Sequence, residues 1–140
     1  MKRIAIFTAI AAVLSGPALA EGDVAEGEKL VAKRCKACHM IQNGDEVLLK
    51  GGKTGPNLWA VVGRQAGTAE GFSRYGDDLV AAGAAGLVWD VERLAAYLED
   101  PRAFLRATLE DDGAKSKMNF KLRKEEDRAD AAAYLATLVE

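Results

Sequence analysis

Few of the residues that build metal and redox sites are present. The 140-residue chain has one histidine, two cysteines and three methionines. One histidine excludes any site that needs two imidazoles. Two cysteines exclude a four-thiolate metal cage and a disulfide framework. Beyond the first twenty residues no apolar run reaches membrane length. No stretch alternates strongly enough to predict a strand. Repeats and low-complexity segments are also lacking. Positive charge is not in excess: the formal net charge is −2, which disfavours nucleic acid as a partner. Gly52-Lys53-Thr54 looks like the end of a phosphate-binding loop. However, Val47 stands where that motif needs glycine, and Gly55-Pro56 follows where it needs a helix. Nucleotide binding is excluded.

The scarce residues are gathered in one place. Cys35 and Cys38, with His39, form Cys35-Lys36-Ala37-Cys38-His39. Two cysteines two residues apart and followed at once by histidine are the attachment signature of a c-type haem. The spacing follows from the chemistry. Each thiol adds across one vinyl group to form a thioether, and the next residue offers an imidazole nitrogen to the iron. A redox dithiol, half of a zinc site and a strained two-residue disulfide are the alternatives. The first usually accompanies a βαβ pattern, the second needs further Cys or His ligands, and the third is sterically poor.

The N-terminus predicts export. Lys2 and Arg3 precede an apolar run at 4–14, and Ala18-Leu19-Ala20 is a small-x-small cleavage site. Residues 1–20 therefore read as a cleaved signal peptide and 21–140 as a single domain in the periplasm. An uncleaved anchor is the alternative. Removing Lys2 and Arg3 takes the formal charge from −2 to −4.

Along the domain, residues 21–33 predict a helix capped by Asp23, with Glu26 placed to complete a capping box. Val24, Gly27, Leu30 and Val31 form its apolar face. Gly27 is either a point of close helix approach or a tolerated surface glycine. Residues 41–55 read as a glycine-rich loop. In Gly55-Pro56, usually a turn, the Pro56 carbonyl is a candidate acceptor for the second ring nitrogen of His39. A short helix is expected at 77–82, stopped by Gly83. A clear one is expected at 91–99, capped by Asp90, with Leu94, Tyr97 and Leu98 on one face. Pro101 opens another, to about residue 105. Residues 110–124 form a polar loop carrying Met118, and 125–139 form the last helix.

With no second histidine, the second axial position of the iron falls to a methionine or stays open. Met1 lies in the leader, and Met40 adjoins His39 on the same side of the ring. Met118 is the candidate, against the alternative that it merely fills space. Histidine with methionine raises the reduction potential and leaves no site for substrate, which points to an electron carrier. Lys33, Arg34, Lys36, Lys50 and Lys53 gather near the attachment, and Lys115, Lys117, Lys121 and Lys124 near Met118. Acids gather at 21–28, 90–100 and 125–130. A basic face on an acidic protein steers an acidic partner; the alternative is ordinary solvated lysines.

On these residues the chain resembles the class I cytochromes c, and most closely the bacterial cytochrome c2 and c550 group. The resemblance is carried by Cys-Lys-Ala-Cys-His-Met-Ile at 35–41, Gly-Gly-Lys-Thr-Gly-Pro-Asn-Leu at 51–58, Val-Val-Gly-Arg at 61–64 and Gly-Phe at 71–72. Trp89, Tyr97 with Asp100-Pro101, and Gly-Ala-Lys-Ser-Lys-Met-Asn-Phe at 113–120 extend it. It implies an all-α fold: three main helices and shorter ones around one covalent haem, with the first and last helices crossing near Gly27 and Tyr134. It implies His39 and Met118 as axial ligands and the Pro56 carbonyl behind His39. It also places Arg64, Tyr75 and Trp89 around the haem propionates and Tyr97 near the methionine sulfur. At high pH it implies replacement of Met118 by a lysine, with Lys115, Lys117 and Lys121 as candidates. The function implied is a soluble, monomeric periplasmic carrier, not an enzyme. Electrons would pass from a membrane complex such as cytochrome bc1 to a terminal oxidase, a photosynthetic reaction centre or a denitrification reductase. A five-coordinate haem enzyme or gas sensor, and an electron-entry module of a larger complex, are the competing readings. Two features depart from the pattern: a long segment between Pro101 and Met118, and no aromatic on the first helix.

Overall fold

A computed structural model describes residues 21–139. The signal peptide expected at 1–20, with Met1, lies outside the described residues. Five helices and one hairpin follow in chain order: α1 (Val24–Arg34), β1 (Ile41–Asn43), β2 (Glu46–Leu49), α2 (Asp77–Ala84), α3 (Val91–Glu99), α4 (Pro101–Leu109) and α5 (Glu125–Ala136). No helix among the described residues is long and apolar enough to cross a membrane.

Helix α1 starts where Asp23 accepts from the N–H groups of Ala25 and Glu26. The capping box is not completed. Glu26 turns instead to Lys29, 2.7 Å away. The Asp23 N–H that Glu26 would have taken donates to Asp130 Oδ1 at 2.6 Å. The start of α1 is thereby fastened to α5. Gly27 is buried at their crossing, and a Cβ there would lie 2.0 Å from the Asp130 carbonyl oxygen and 2.8 Å from Tyr134 Cβ. The close-approach reading of Gly27 holds. Val31 is fully buried and Leu30 partly so, on the face expected; Val24 is exposed.

The hairpin was not legible in the sequence. It pairs Asn43 with Glu46 across Gly44-Asp45 and Gln42 with Val47. Its strands are three and four residues long and mostly exposed, so no alternation marks them. Asn57 fixes it: its Oδ1 accepts from Gln42 N–H, and its Nδ2 donates to the Gln42 carbonyl.

Helix α2 runs through Gly83 rather than stopping there. Gly83 is buried because the Ala66 carbonyl sits 1.9 Å from where its Cβ would be. Helix α3 matches the expectation, with Asp90 accepting from Arg93 N–H and Leu94, Tyr97 and Leu98 buried. Asp100 ends α3 and caps α4 through Ala103 N–H. Helix α4 continues to Leu109, a turn beyond the expected end, because Leu105 is fully buried and carries the helix inward. It closes on Glu110, whose φ of 53° and ψ of 37° are left-handed. That conformation costs a residue with a Cβ about 1 kcal/mol. Glu110→Gly is therefore expected to stabilise the protein by about 0.5 kcal/mol after the added chain entropy is counted, read as a small rise in melting temperature. A lower melting temperature would mean that the Glu110 side chain contributes more than its backbone costs.

Candidate haem site

The apolar faces of α1, α3 and α5 do not close on one another completely. Val31, Leu94, Leu98, Ala131 and Leu135 line a cavity of about 600 Å³. Cys35, Cys38, His39, Pro56, Arg64, Tyr75, Trp89, Tyr97 and Met118 all line it too. The nine residues singled out from the sequence, spread over more than eighty positions, are thus brought to one place.

The attachment motif is a turn off the end of α1. Cys35 is the C-cap, and its carbonyl accepts from the N–H groups of Cys38 and His39 at 3.1 and 2.9 Å. Cys38 is left exposed, Cys35 half-buried and His39 buried. Burial pushes the Cys35 thiol up to about 11. A redox dithiol needs the opposite shift. Among the described residues no three Cys, His, Asp or Glu side chains converge on a metal position, so the zinc reading has no further ligands.

His39 Nδ1 lies 2.8 Å from the Pro56 carbonyl. A carbonyl only accepts, so Nδ1 carries the proton and Nε2 presents its lone pair. Burial lowers the pKa of His39, against the opposing effect of the Pro56 bond, and favours the neutral ring that a metal requires. Gly55 holds the ring from behind: a Cβ there would meet His39 Cε1 at 2.4 Å. The loop bearing Gly55 is tied to the attachment turn by Gly52 N–H to the Lys36 carbonyl and Gly55 N–H to the Cys38 carbonyl, both 2.8 Å. No local pattern in the sequence gives these glycines a part in holding the ring. Their clustering at positions 51, 52 and 55 is the available signal.

Arg64 is half-buried, and its guanidinium donates to the carbonyls of Trp59 and Asn57 at 3.1 and 3.0 Å. No carboxylate pairs with it among the described residues. Burial pulls its pKa down. An unpaired, partly desolvated cation lining a cavity fits an anionic group placed there. Tyr75 accepts from Ala69 N–H at 3.0 Å, which leaves its own proton to donate. Trp89 and Tyr97 pack edge to face at 5.0 Å, and Phe104 adds to both. The Tyr97 hydroxyl is 3.3 Å from Ser116 Oγ, which donates to the Met118 carbonyl at 2.8 Å. Burial raises the pKa of Tyr97 and keeps it a neutral phenol. Ser116, to which no sequence pattern gives a role, links the tyrosine to the methionine segment.

The basic residues divide. Arg34, Arg74, Lys115 and Lys117 are exposed and line the same cavity, which places them at its rim. The Lys121 ammonium is taken by Asp100. Arg74 donates to the Lys53 carbonyl, and Lys117 Nζ lies 3.2 Å from the Arg74 carbonyl.

A Cys-x-x-Cys-His turn at a helix end, a tethered imidazole, a thioether and an unpaired cation around one apolar cavity define a c-type cytochrome. No family model matches the chain. Cytochrome c-551 of Roseobacter denitrificans is 58% identical over 125 residues, covering 89% of this chain and 86% of that protein. Cytochrome c2 of Rhodobacter capsulatus is 52% identical over 134 residues, covering 94% of this chain and 93% of that protein. The solved structure of cytochrome c2 from Rhodobacter sphaeroides superposes with a TM-score of 0.80 at 43% identity, covering 84% of this chain and 97% of that one. The chain belongs to the cytochrome c2, c-550 and c-551 family. It is an electron-transfer protein rather than an enzyme, and the Cys35–Cys38 pair fits a covalent haem c.

Proposed function

We propose that this protein is a soluble periplasmic one-electron carrier. Residues 1–20 are its cleaved signal peptide, and 21–140 a single domain with one haem c. Cys35 and Cys38 hold the haem by thioethers, and His39 and Met118 ligate its iron. The observation that carries the reading is that His39, with Nδ1 committed to Pro56, and Met118 line one cavity. When bound, the haem supplies a one-electron couple. The protein's residues set the conditions for it. Pro56 and Gly55 fix the imidazole, so the ligand need not reorient between oxidation states. The apolar faces of α1, α3 and α5 exclude water. Arg64, Tyr75 and Trp89 receive the propionates, and Tyr97 backs the methionine.

Absorption spectra of the oxidised and reduced protein, with and without carbon monoxide, test this. The expected result is a low-spin spectrum that carbon monoxide leaves unchanged. A high-spin spectrum with ready carbon monoxide binding would favour a five-coordinate enzyme or sensor. Arg64→Leu removes a cation from beside the haem, which favours the oxidised form. The reduction potential is expected to fall by roughly 60 mV, one tenfold step for a one-electron couple. An unchanged potential would remove Arg64 from the propionate set.

The donor would be a membrane complex such as cytochrome bc1. The acceptor would be a terminal oxidase, a photosynthetic reaction centre or a denitrification reductase. Support for docking at the cavity rim comes from the exposed Arg34, Arg74, Lys115 and Lys117 there. Electron-transfer rates with an acidic partner should fall steeply as salt rises.

A further inference from the structure

The segment that carries Met118 has almost no main-chain support. Ala114 N–H donates to the Asp111 carbonyl, and Leu122 N–H donates to the Leu98 carbonyl at 2.7 Å. Between them, over residues 115–121, one main-chain N–H alone has a protein acceptor among the described residues: that of Lys115, 2.7 Å from Asp78 Oδ2. The other ties to neighbouring elements are made by side chains: the Ser116 hydroxyl lies 3.3 Å from the Tyr97 hydroxyl of α3, and the rest are long. Lys117 reaches the Arg74 carbonyl, Lys121 reaches Asp100, and the Phe120 ring lies beneath Arg34 at 5.5 Å. Lysine tethers lose much rotamer freedom and fix a backbone poorly. A short carboxylate on a main-chain N–H fixes it well, and a charged acceptor strengthens the bond.

Asp78 is itself on a rigid support. It lies in the first turn of α2, whose Ala82 and Gly83 are buried, Gly83 against the Ala66 carbonyl. An acid in a helix's first turn is ordinarily explained by the helix dipole. Asp77, its neighbour, fits that explanation: it is exposed and makes no side-chain bond among the described residues. Asp78 departs from it by reaching across 37 positions to the methionine segment.

We propose that Asp78 is a positioning residue for Met118. Its carboxylate holds Lys115, three residues before the thioether, and so keeps the sulfur seated on the cavity. The inference rests on Met118 being an axial ligand. It assigns the seating of that ligand to α2, a helix that supplies none of the nine site residues.

The test uses the haem-loaded ferric protein. The rate at which excess imidazole replaces the methionine reports how often the sulfur leaves the iron. Asp78→Ala is expected to accelerate replacement roughly tenfold, the loss of one charge-assisted hydrogen bond. Asp78→Asn keeps an acceptor oxygen without its charge and should fall between the two, roughly threefold faster than the unsubstituted protein. Asp77→Ala, which removes only a first-turn charge, should leave the rate unchanged. Hydrogen exchange gives a reading that needs no variant: the Lys115 amide should be protected well above its neighbours at 116 and 117. An unprotected Lys115 amide, or an Asp78→Ala rate equal to the unsubstituted one, overturns the proposal. So does an Asp78→Asn variant as fast as Asp78→Ala, since charge and not the bond would then be responsible. An unsubstituted protein with no ferric sulfur–iron band would instead overturn the ligation reading beneath it, and the two failures are told apart by that spectrum.

Discussion

Met118→Ala is expected to abolish the ferric sulfur–iron band and to lower the reduction potential on the order of a few hundred millivolts, within the range of roughly 0.8 V that axial ligands span. The thioether is a soft ligand that favours the reduced iron. Its loss leaves water, or an amine from Lys115 or Lys117 at the cavity rim, to take the position. Both are harder ligands and favour the oxidised state. Carbon monoxide should then bind readily, because no strong ligand has to be displaced. Met40 cannot substitute without rebuilding the attachment turn: it follows His39, and its carbonyl accepts from Leu58 N–H at 3.0 Å. A Met118→Ala protein that kept the band and resisted carbon monoxide would place the sulfur elsewhere and return Met118 to a packing role.

Gly27→Ala should destabilise the protein by about 2–4 kcal/mol, a loss of about 10 °C in melting temperature. The sign is the informative part. On an exposed helix surface the same change would stabilise by up to about 1 kcal/mol, since alanine is the better helix former. Here the added carbon would fall 2.0 Å from a main-chain oxygen of α5. Main chain in a helix cannot step aside as a side-chain tip can, so α1 must move off α5. That also strains the Asp23 N–H to Asp130 bond at the start of α1 and shifts Cys35 at its end. Thermal unfolding followed by circular dichroism reads the effect. A higher melting temperature in Gly27→Ala would mean that the helices do not cross at this contact in solution.

Salt-dependent rates, the Arg64 potential and the Glu110→Gly gain probe smaller terms. They depend on exposed charges, one partly buried cation and one strained dihedral. Each is worth less than a ligand lost from iron or a helix pair pushed apart.

The elements the sequence predicted well are those with strong local signals. Asp90 caps α3 and Pro101 opens α4 as expected, and Leu94, Tyr97 and Leu98 are buried on the predicted face. The errors fall where the deciding neighbour is distant. Gly83 reads as a helix stop until the Ala66 carbonyl is seen against it. Glu26 reads as half of a capping box until Asp130 claims the Asp23 N–H. The hairpin depends on Asn57, fifteen residues from Gln42.

The sequence by itself determined the chemistry. A chain with one histidine, two cysteines and no other thiols or imidazoles has a single place to attach a haem, and the covalent spacing of that chemistry is written in five consecutive residues. Family resemblance added the propionate and methionine neighbours, which no local pattern reveals. Tertiary structure decided most of how the candidate ligands are seated. The sequence offers the Pro56 carbonyl as the partner of the His39 ring; that Gly55 leaves the ring room and Asp78 reaches the segment before Met118 comes only from the fold. Those are contacts between main-chain atoms and short side chains far apart in the chain. Hydrogen bonds act only over about 3 Å, so their partners are set by folding and leave no periodicity to read.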